Sequence, residues 1–264
     1  MESTYHMKDI YKKIFISPLF LLIIFLSLIS GLFKDVIALF LIIIIHEMGH
    51  VFLSFLYGWK IKRIDIGICG GFITYDDVID KPFKEEIIIS LAGFLFQAMF
   101  FTVYFALYNI NVLNESLFIL LNKYNISIFI FNVLPIYPLD GSKLLLVVLN
   151  LFLPYKKTLK LINAISFINI VLIIVLIFIF NVRFEYSYVM IACFIISKII
   201  NFTKDIPHLF NRFLFERYVN KTKSNNLVYI KGLNLSLLRR QKKHYFLIGK
   251  HYYSERKILS KKFD

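Results

Sequence analysis

The chain has 264 residues, 58% of them hydrophobic and 18% charged, with a formal net charge of +14. A soluble domain carries about a quarter charged residues, and one core of this size has no room for so much apolar surface. The composition therefore excludes an ordinary soluble enzyme and implies a chain that uses lipid as solvent.

Apolar runs long enough to cross about 30 Å of hydrocarbon as helices lie at Ile14–Phe33, Val36–Tyr57, Ile87–Tyr108, Tyr124–Leu153, Leu161–Phe180 and Tyr186–Phe202. The expected fold class is all-α: a polytopic membrane protein of about six transmembrane helices, with a short re-entrant β-hairpin near Gly70-Gly71. The first run is no cleavable secretory signal, because no small-residue site follows it and a second apolar run begins almost at once.

The second run contains His46-Glu47-Met48-Gly49-His50. Residues four apart share one helix face, so both imidazoles can reach one metal, and Glu47 can reach the metal's water. Before them, Leu39 to Ile45 has no polar side-chain atom. A His-Glu pair so placed costs several kcal/mol, of order, unless something binds it. A hydrogen-bonded cluster joining helices is the bland alternative.

Next, Ile64, Ile66 and Ile68 alternate with Asp65 and Gly67, which is a strand period. Gly70-Gly71 permits a tight turn before Phe72–Tyr75. The expected hairpin lies on or dips into the cytoplasmic face, where non-helical backbone survives only against protein or a wet cavity.

The fourth run is too long for one straight crossing and is broken by Pro135 and Pro138. Its one acidic side chain is Asp140, in Asn132-Val-Leu-Pro135-Ile-Tyr-Pro138-Leu-Asp140-Gly141. A catalytic zinc wants three protein ligands and one open position, and Asp140 is the candidate third. His46 lies 14 residues before Lys60, and Asp140 lies 14 before Pro154. At helical rise, both are on the order of 20 Å from the cytoplasmic ends of their spans. Asn132 holds substrate backbone or supports the unwound loop, or it makes an interhelical hydrogen bond.

Bases crowd alternate connections. Lys8, Lys12 and Lys13 precede the first run; Lys60, Lys62, Arg63, Lys81 and Lys84 follow the second; Lys156, Lys157 and Lys160 follow the fourth. Lys34-Asp35 is neutral, Asn109 to Ser116 has no base, and Arg183 sits beside Glu185. The pattern predicts both termini in the cytoplasm. From Lys204 to Asp264 there are 15 basic and 4 acidic residues, a net +11. Such a tail reads as a lipid-facing or partner-facing segment, and nothing beyond charge suggests a specific nucleic acid. His6, His208, His244 and His251 are expected to be solvated, and Lys143 to snorkel or to bond a neighbour. Cys69 and Cys193 fit no metal or disulfide spacing.

These motifs resemble the site-2 protease family of intramembrane zinc metalloproteases. The matching residues are His46, Glu47, His50, Asn132, Pro135, Leu139, Asp140 and Gly141. The Gly70-Gly71 hairpin looks like the family's re-entrant element. Ser90-Leu-Ala-Gly93-Phe-Leu-Phe-Gln97 is similar to its third-span motif, with Phe94 where the family favours Pro and Gln97 where it favours Asn. The resemblance covers roughly residues 1 to 203. With the stretch Arg212-Phe-Leu-Phe-Glu-Arg-Tyr218 it looks most like the stage IV sporulation proteases of spore-forming bacteria.

The resemblance implies one catalytic Zn²⁺ on His46, His50 and Asp140, and Glu47 as the base. Asn132, Pro135, Gly70 and Gly71 would bind or support substrate. It also implies a membrane-associated substrate such as a pro-sigma factor, a place in the bilayer of the mother cell, and membrane inhibitor proteins as partners. The expected domains are a protease at 1–203 and a basic cytoplasmic tail at 204–264, too short for the complete CBS domain common in those relatives. Two other readings explain intramembrane His, Glu and Asp. A transporter would show two matching halves, and none is found. An inactive scaffold would have lost the glutamate or a ligand, and all four residues are present.

Overall fold

The computed structural model describes residues 14–16, 18–31, 33–67, 70–75, 80–180, 186–220 and 226–263. His6 and Cys69 lie outside them. The chain forms two compact units, one of residues 1–77 with 87–133 and one of residues 78–86 with 134–264.

The first unit contains strand β1 (Ile14–Ile16) and helices α1 (Pro18–Ile29) and α2 (Phe33–Leu56). It continues with strands β2 (Ile61–Gly67) and β3 (Gly70–Tyr75), most of α3 (Phe83–Asn109), and α4 (Glu115–Val133). Ala38, Phe40, Ile42 and Ile43 of α2 pack with Tyr104 of α3 and with Leu121 and Ile128 of α4. The opposite stripe of α2, with Ile37, Leu41, Ile44, Met48, Phe52 and Leu56, is exposed and entirely apolar. A helix in water turns polar residues outward; one that turns these outward faces lipid.

Strands β1, β2 and β3 form one sheet in that order, β1 parallel to β2 and β2 antiparallel to β3. Buried Ile61 and Ile64 pack with Val51, Phe55, Ile73 and Tyr75. The Ser54 hydroxyl lies 2.8 Å from the Tyr75 hydroxyl, and Trp59 meets the Tyr75 ring edge-on. The sheet is thus fastened to the C-terminal turns of α2. Two expectations are corrected here. The hairpin expected near Gly70-Gly71 is present, but the two glycines are the first two residues of β3, paired with Gly67 and Ile66, rather than its turn. The first apolar run is not one crossing helix. It opens as β1, recruited by pairing to β2, and α1 has 12 residues, a rise of about 18 Å.

The second unit runs through α5 (Asp140–Phe152), α6 (Tyr155–Ile179), α7 (Tyr186–Val219), β4 (Leu227–Lys231), a 3₁₀ turn at Leu235–Leu237, β5 (Lys243–Ile248), β6 (His251–Ser254) and α8 (Glu255–Phe263). Between α4 and α5 the helix is interrupted where Pro135 and Pro138 withhold their N–H groups. There the Tyr137 N–H donates to the Ser166 hydroxyl and its ring stacks on Phe202.

Beyond residue 203 the described residues stay folded. α7 continues to Val219, β4 pairs parallel to β5, and β6 pairs antiparallel to β5. Ile230, Phe246, Ile258 and Leu259 join Leu159, Ile162, Phe210 and Phe213 in one core. The boundary expected at 203 falls inside α7. With two three-stranded sheets among the described residues, the protein is mostly helical rather than all-α. The pairing of β1 with β2 is non-local, and the strong apolar runs mask it in the sequence.

Among the described residues, α2, α3, α4 and α6 are long and apolar enough to cross a membrane. α6 exposes Phe167, Ile168, Val171, Leu172 and Val175, again an apolar outer stripe. The chain is an integral membrane protein.

Candidate active site

His46, Glu47, His50, Gly70, Gly71 and Asn132 belong to the first unit, and Pro135 and Asp140 to the second. On α2 the two imidazoles meet as helical spacing requires, with their Nε2 atoms 3.1 Å apart. Both residues are buried, at 1% and 4% exposure.

The other ring nitrogens decide what this pair can do. His50 Nδ1 lies 2.6 Å from the main-chain oxygen of Ile89, and His46 Nδ1 lies 3.0 Å from Gln97 Oε1. The Ile89 oxygen can only accept, so His50 Nδ1 carries a hydrogen; an amide oxygen demands the same of His46. Each neutral ring then presents a bare lone pair at Nε2, and the two lone pairs face each other. Two bare nitrogens repel unless a proton or a metal lies between them. Nitrogens bound at about 2.0–2.1 Å in a tetrahedral zinc site stand roughly 3.3 Å apart, close to what is seen.

Glu47 is half-buried, and its carboxylate lies against Gly71 of β3. A Cβ added at Gly71 would stand 2.5 Å from Glu47 Cδ. Gly93 of α3 faces the rings in the same way: a Cβ there would stand 2.5 Å from Nε2 of both His46 and His50. Phe94 packs edge-on to His46 with centroids 5.6 Å apart. The third-span motif therefore reaches the histidines through Gly93, Phe94 and Gln97. Ile89 contributes only a main-chain oxygen, for which its side chain gives no signal.

Asp140 opens α5 and is buried, and Lys143 Nζ donates to its Oδ1 at 2.7 Å. Lys143 therefore bonds a neighbour, as one of its two expected roles has it. Asn132 sits in the last turn of α4, half-buried, its Nδ2 donating to Ile128 O. Pro135 lies in the break between α4 and α5. His244 corrects another expectation: it is 2% exposed, not solvated. Its Nε2 accepts the Arg239 N–H, and its Nδ1 faces Glu255.

Comparison with known proteins agrees with this chemistry. The pattern of peptidase family M50 matches residues 35–116, the stretch that carries both histidines, Glu47 and Gln97. Stage IV sporulation protein FB of Bacillus subtilis is 31% identical over 215 residues, which is 81% of this chain and 74% of that protein. A zinc metalloprotease of Methanocaldococcus jannaschii is 30% identical over 127 residues, 47% of this chain and 37% of its own length. The solved structure of a site-2 protease from Methanocaldococcus jannaschii has the same fold, with a TM-score of 0.56 at 23% identity over 72% of this chain and 90% of that one. With that identity maintained over three quarters of the sporulation protein, the chain belongs to peptidase family M50, the site-2 proteases, and is an intramembrane metallopeptidase.

Proposed function

We propose that this peptidase holds one zinc ion with His46, His50 and Asp140, uses Glu47 as its general base, and removes the pro-sequence of a sporulation sigma factor at the membrane. One observation carries the metal assignment: two buried Nε2 atoms face each other at 3.1 Å while both Nδ1 atoms are engaged. Two imidazoles and a carboxylate, with a fourth position left for water, are the donor set of a catalytic zinc.

When bound, the ion acidifies its water and polarises the scissile carbonyl. Glu47, next to His46 in the chain, would take a proton from the attacking water and pass it to the leaving amine. β3 is an edge strand in the order β1-β2-β3, and an edge can accept an extended peptide as a further strand. Gly70 and Gly71 keep that strand free of side chains and Gly71 lies beside Glu47, so a peptide paired there would bring a carbonyl to the base. A helical substrate must unwind first, because a helix engages its own carbonyls. Pro135 holds the break before Asp140 open, and Asn132 supports the end of α4 or binds substrate backbone.

The likeness to a stage IV sporulation protein over most of both chains supports the sigma-factor substrate. The alternation of bases along the chain supports cytoplasmic termini, on the mother-cell side in a sporulating cell. Co-expression of the full chain with a candidate sigma precursor tests the reading. The wild type shortens the precursor; Glu47→Gln leaves it intact and keeps zinc; His46→Ala and Asp140→Ala lose zinc. Normal turnover by Glu47→Gln rules out this base. An intact precursor, with another membrane-anchored regulator cut instead, moves the substrate to that class.

A further inference from the structure

We propose that Gln97 is a positioning residue for His46, and that a buried relay through Asn125 and Tyr104 sets its direction. The inference rests on His46 being a zinc ligand, as proposed above. Ser90, Gly93, Gln97 and Tyr104 recur on one side of α3 and are all buried. Gly93 lets α3 approach the imidazoles; Gln97, one turn further, reaches His46.

From the main-chain oxygen of Asn125 to His46 on one side, and to the Tyr104 hydroxyl on the other, every bond has one possible direction. Gln97 Nε2 lies 3.3 Å from the main-chain oxygen of Asn125 and 3.1 Å from its Oδ1. A main-chain oxygen can only accept, so the Gln97 amide nitrogen points there and Oε1 must point to His46. Asn125 Oδ1 is then an acceptor, and its Nδ2 donates to the Tyr104 hydroxyl at 3.3 Å. The Tyr104 hydroxyl donates in turn to Asn122 Oδ1 at 3.3 Å. Read back toward α2, the relay forces a hydrogen onto His46 Nδ1 and bares Nε2. The other tautomer would set a bare Nδ1 against a buried amide oxygen, and nothing in the relay can turn to relieve it.

The two rings of the pair differ in this respect. His50 is oriented by a main-chain oxygen, Ile89 O, which no substitution removes. His46 is oriented by a side chain, which one substitution removes. Partners of this kind hold a ligand ring in its tautomer, and losing one weakens metal binding by about 10- to 100-fold. A residue that merely joined α3 to α4 would affect folding and leave metal affinity alone.

The test uses the full chain purified in detergent. Zinc affinity is measured by competition with a chelator, alongside the melting temperature of the metal-free protein. Gln97→Leu is expected to weaken zinc about 10- to 100-fold with little change in metal-free melting. Gln97→Glu keeps an acceptor toward Nδ1 but sets its second oxygen against the two Asn125 oxygens, and is expected to bind zinc more tightly than Gln97→Leu. Tyr104→Phe is expected to weaken zinc by a smaller factor, and the double variant Gln97→Leu/Tyr104→Phe to bind no worse than Gln97→Leu alone. A Gln97→Leu protein with wild-type zinc affinity overturns the proposal, whatever its metal-free melting. If that variant does not fold, Tyr104→Phe carries the test, and unchanged affinity overturns it. A wild-type protein without zinc, or His46→Ala with wild-type affinity, brings down the ligand assignment and this inference together; loss confined to the Gln97 result spares the ligands.

Discussion

Gly71 of β3 lies flat against the carboxylate of Glu47, so close that a methyl group on Gly71 would stand 2.5 Å from Glu47 Cδ. The sheet that carries Gly71 is fastened to α2 through Ser54, Trp59 and Tyr75. The position of the candidate base therefore depends on a glycine 24 residues further along the chain.

Gly71→Ala should consequently push the Glu47 carboxylate aside and leave the histidines untouched. Misplacing a catalytic group by about 1 Å costs roughly 100-fold in rate. The expected outcome is a cleavage rate lower by about that factor with full zinc content, checked by precursor turnover and metal analysis on the same preparation.

Gly93→Ala should behave in the opposite way. Its methyl group would meet Nε2 of both His46 and His50, where a metal would bind. Zinc content is expected to fall by about tenfold or more, and activity with it. Retention of zinc by Gly93→Ala would show that the rings can move aside.

Arg217, from the stretch Arg212–Tyr218, is buried and bonds Glu255, Asp80 and the main-chain oxygens of Arg239 and Lys242. Removing one partner of a buried pair strands the other, at a cost of about 3–5 kcal/mol. Arg217→Ala should therefore unfold at much lower denaturant than the wild type. Arg212 also pairs on α7, with Glu216, but is half exposed, and Arg212→Ala should cost less than about 1 kcal/mol. Denaturant midpoints of the two variants decide.

Stability should fall in acid in two stages. Burial, above all, holds the His244 pKa below its ordinary 6.5; Glu255 opposes this, and Arg217 and Arg239 add to it. A folded state that prefers neutral His244 has that contribution in full above 6.5 and loses it as pH drops below that value. Burial alone would raise the Glu255 pKa, but hydrogen bonds from His244 and Arg217, with their charges, bring it below 4.5. Its contribution is complete above 4.5 and is lost further down. Melting followed from about pH 7.5 to 4 should show both limbs, and His244→Gln should erase the upper one.

What was legible in the sequence follows how local each cause is. Helical period alone sets His46 and His50 on one face, and the structure has them so. Pro135 and Pro138 break a helix wherever they fall, so the interruption before Asp140 was visible too. Gln97 was visible only as a motif position. Its meeting with His46 depends on α2, α3 and α4 packing together, which no window of α3 contains. β1 was hidden because its pairing partner lies about 50 residues away.

The C-terminal strands illustrate the same limit. Val228 and Ile230, then His244 and Phe246, alternate with exposed or half-buried neighbours, a period of two that the density of lysine and arginine obscured. Hence His244 looked solvated when it is buried.

By itself the sequence determined the solvent of this protein and the chemistry it carries. Apolar run length requires lipid, and the spacing of His46 and His50 requires one helix face; both follow from a few consecutive residues. Tertiary structure alone decided which groups orient the imidazoles, that Gly71 meets Glu47, and that the described C-terminal residues fold around Arg217. Those depend on which helix face meets which strand, and such contacts are selected by packing across the whole chain.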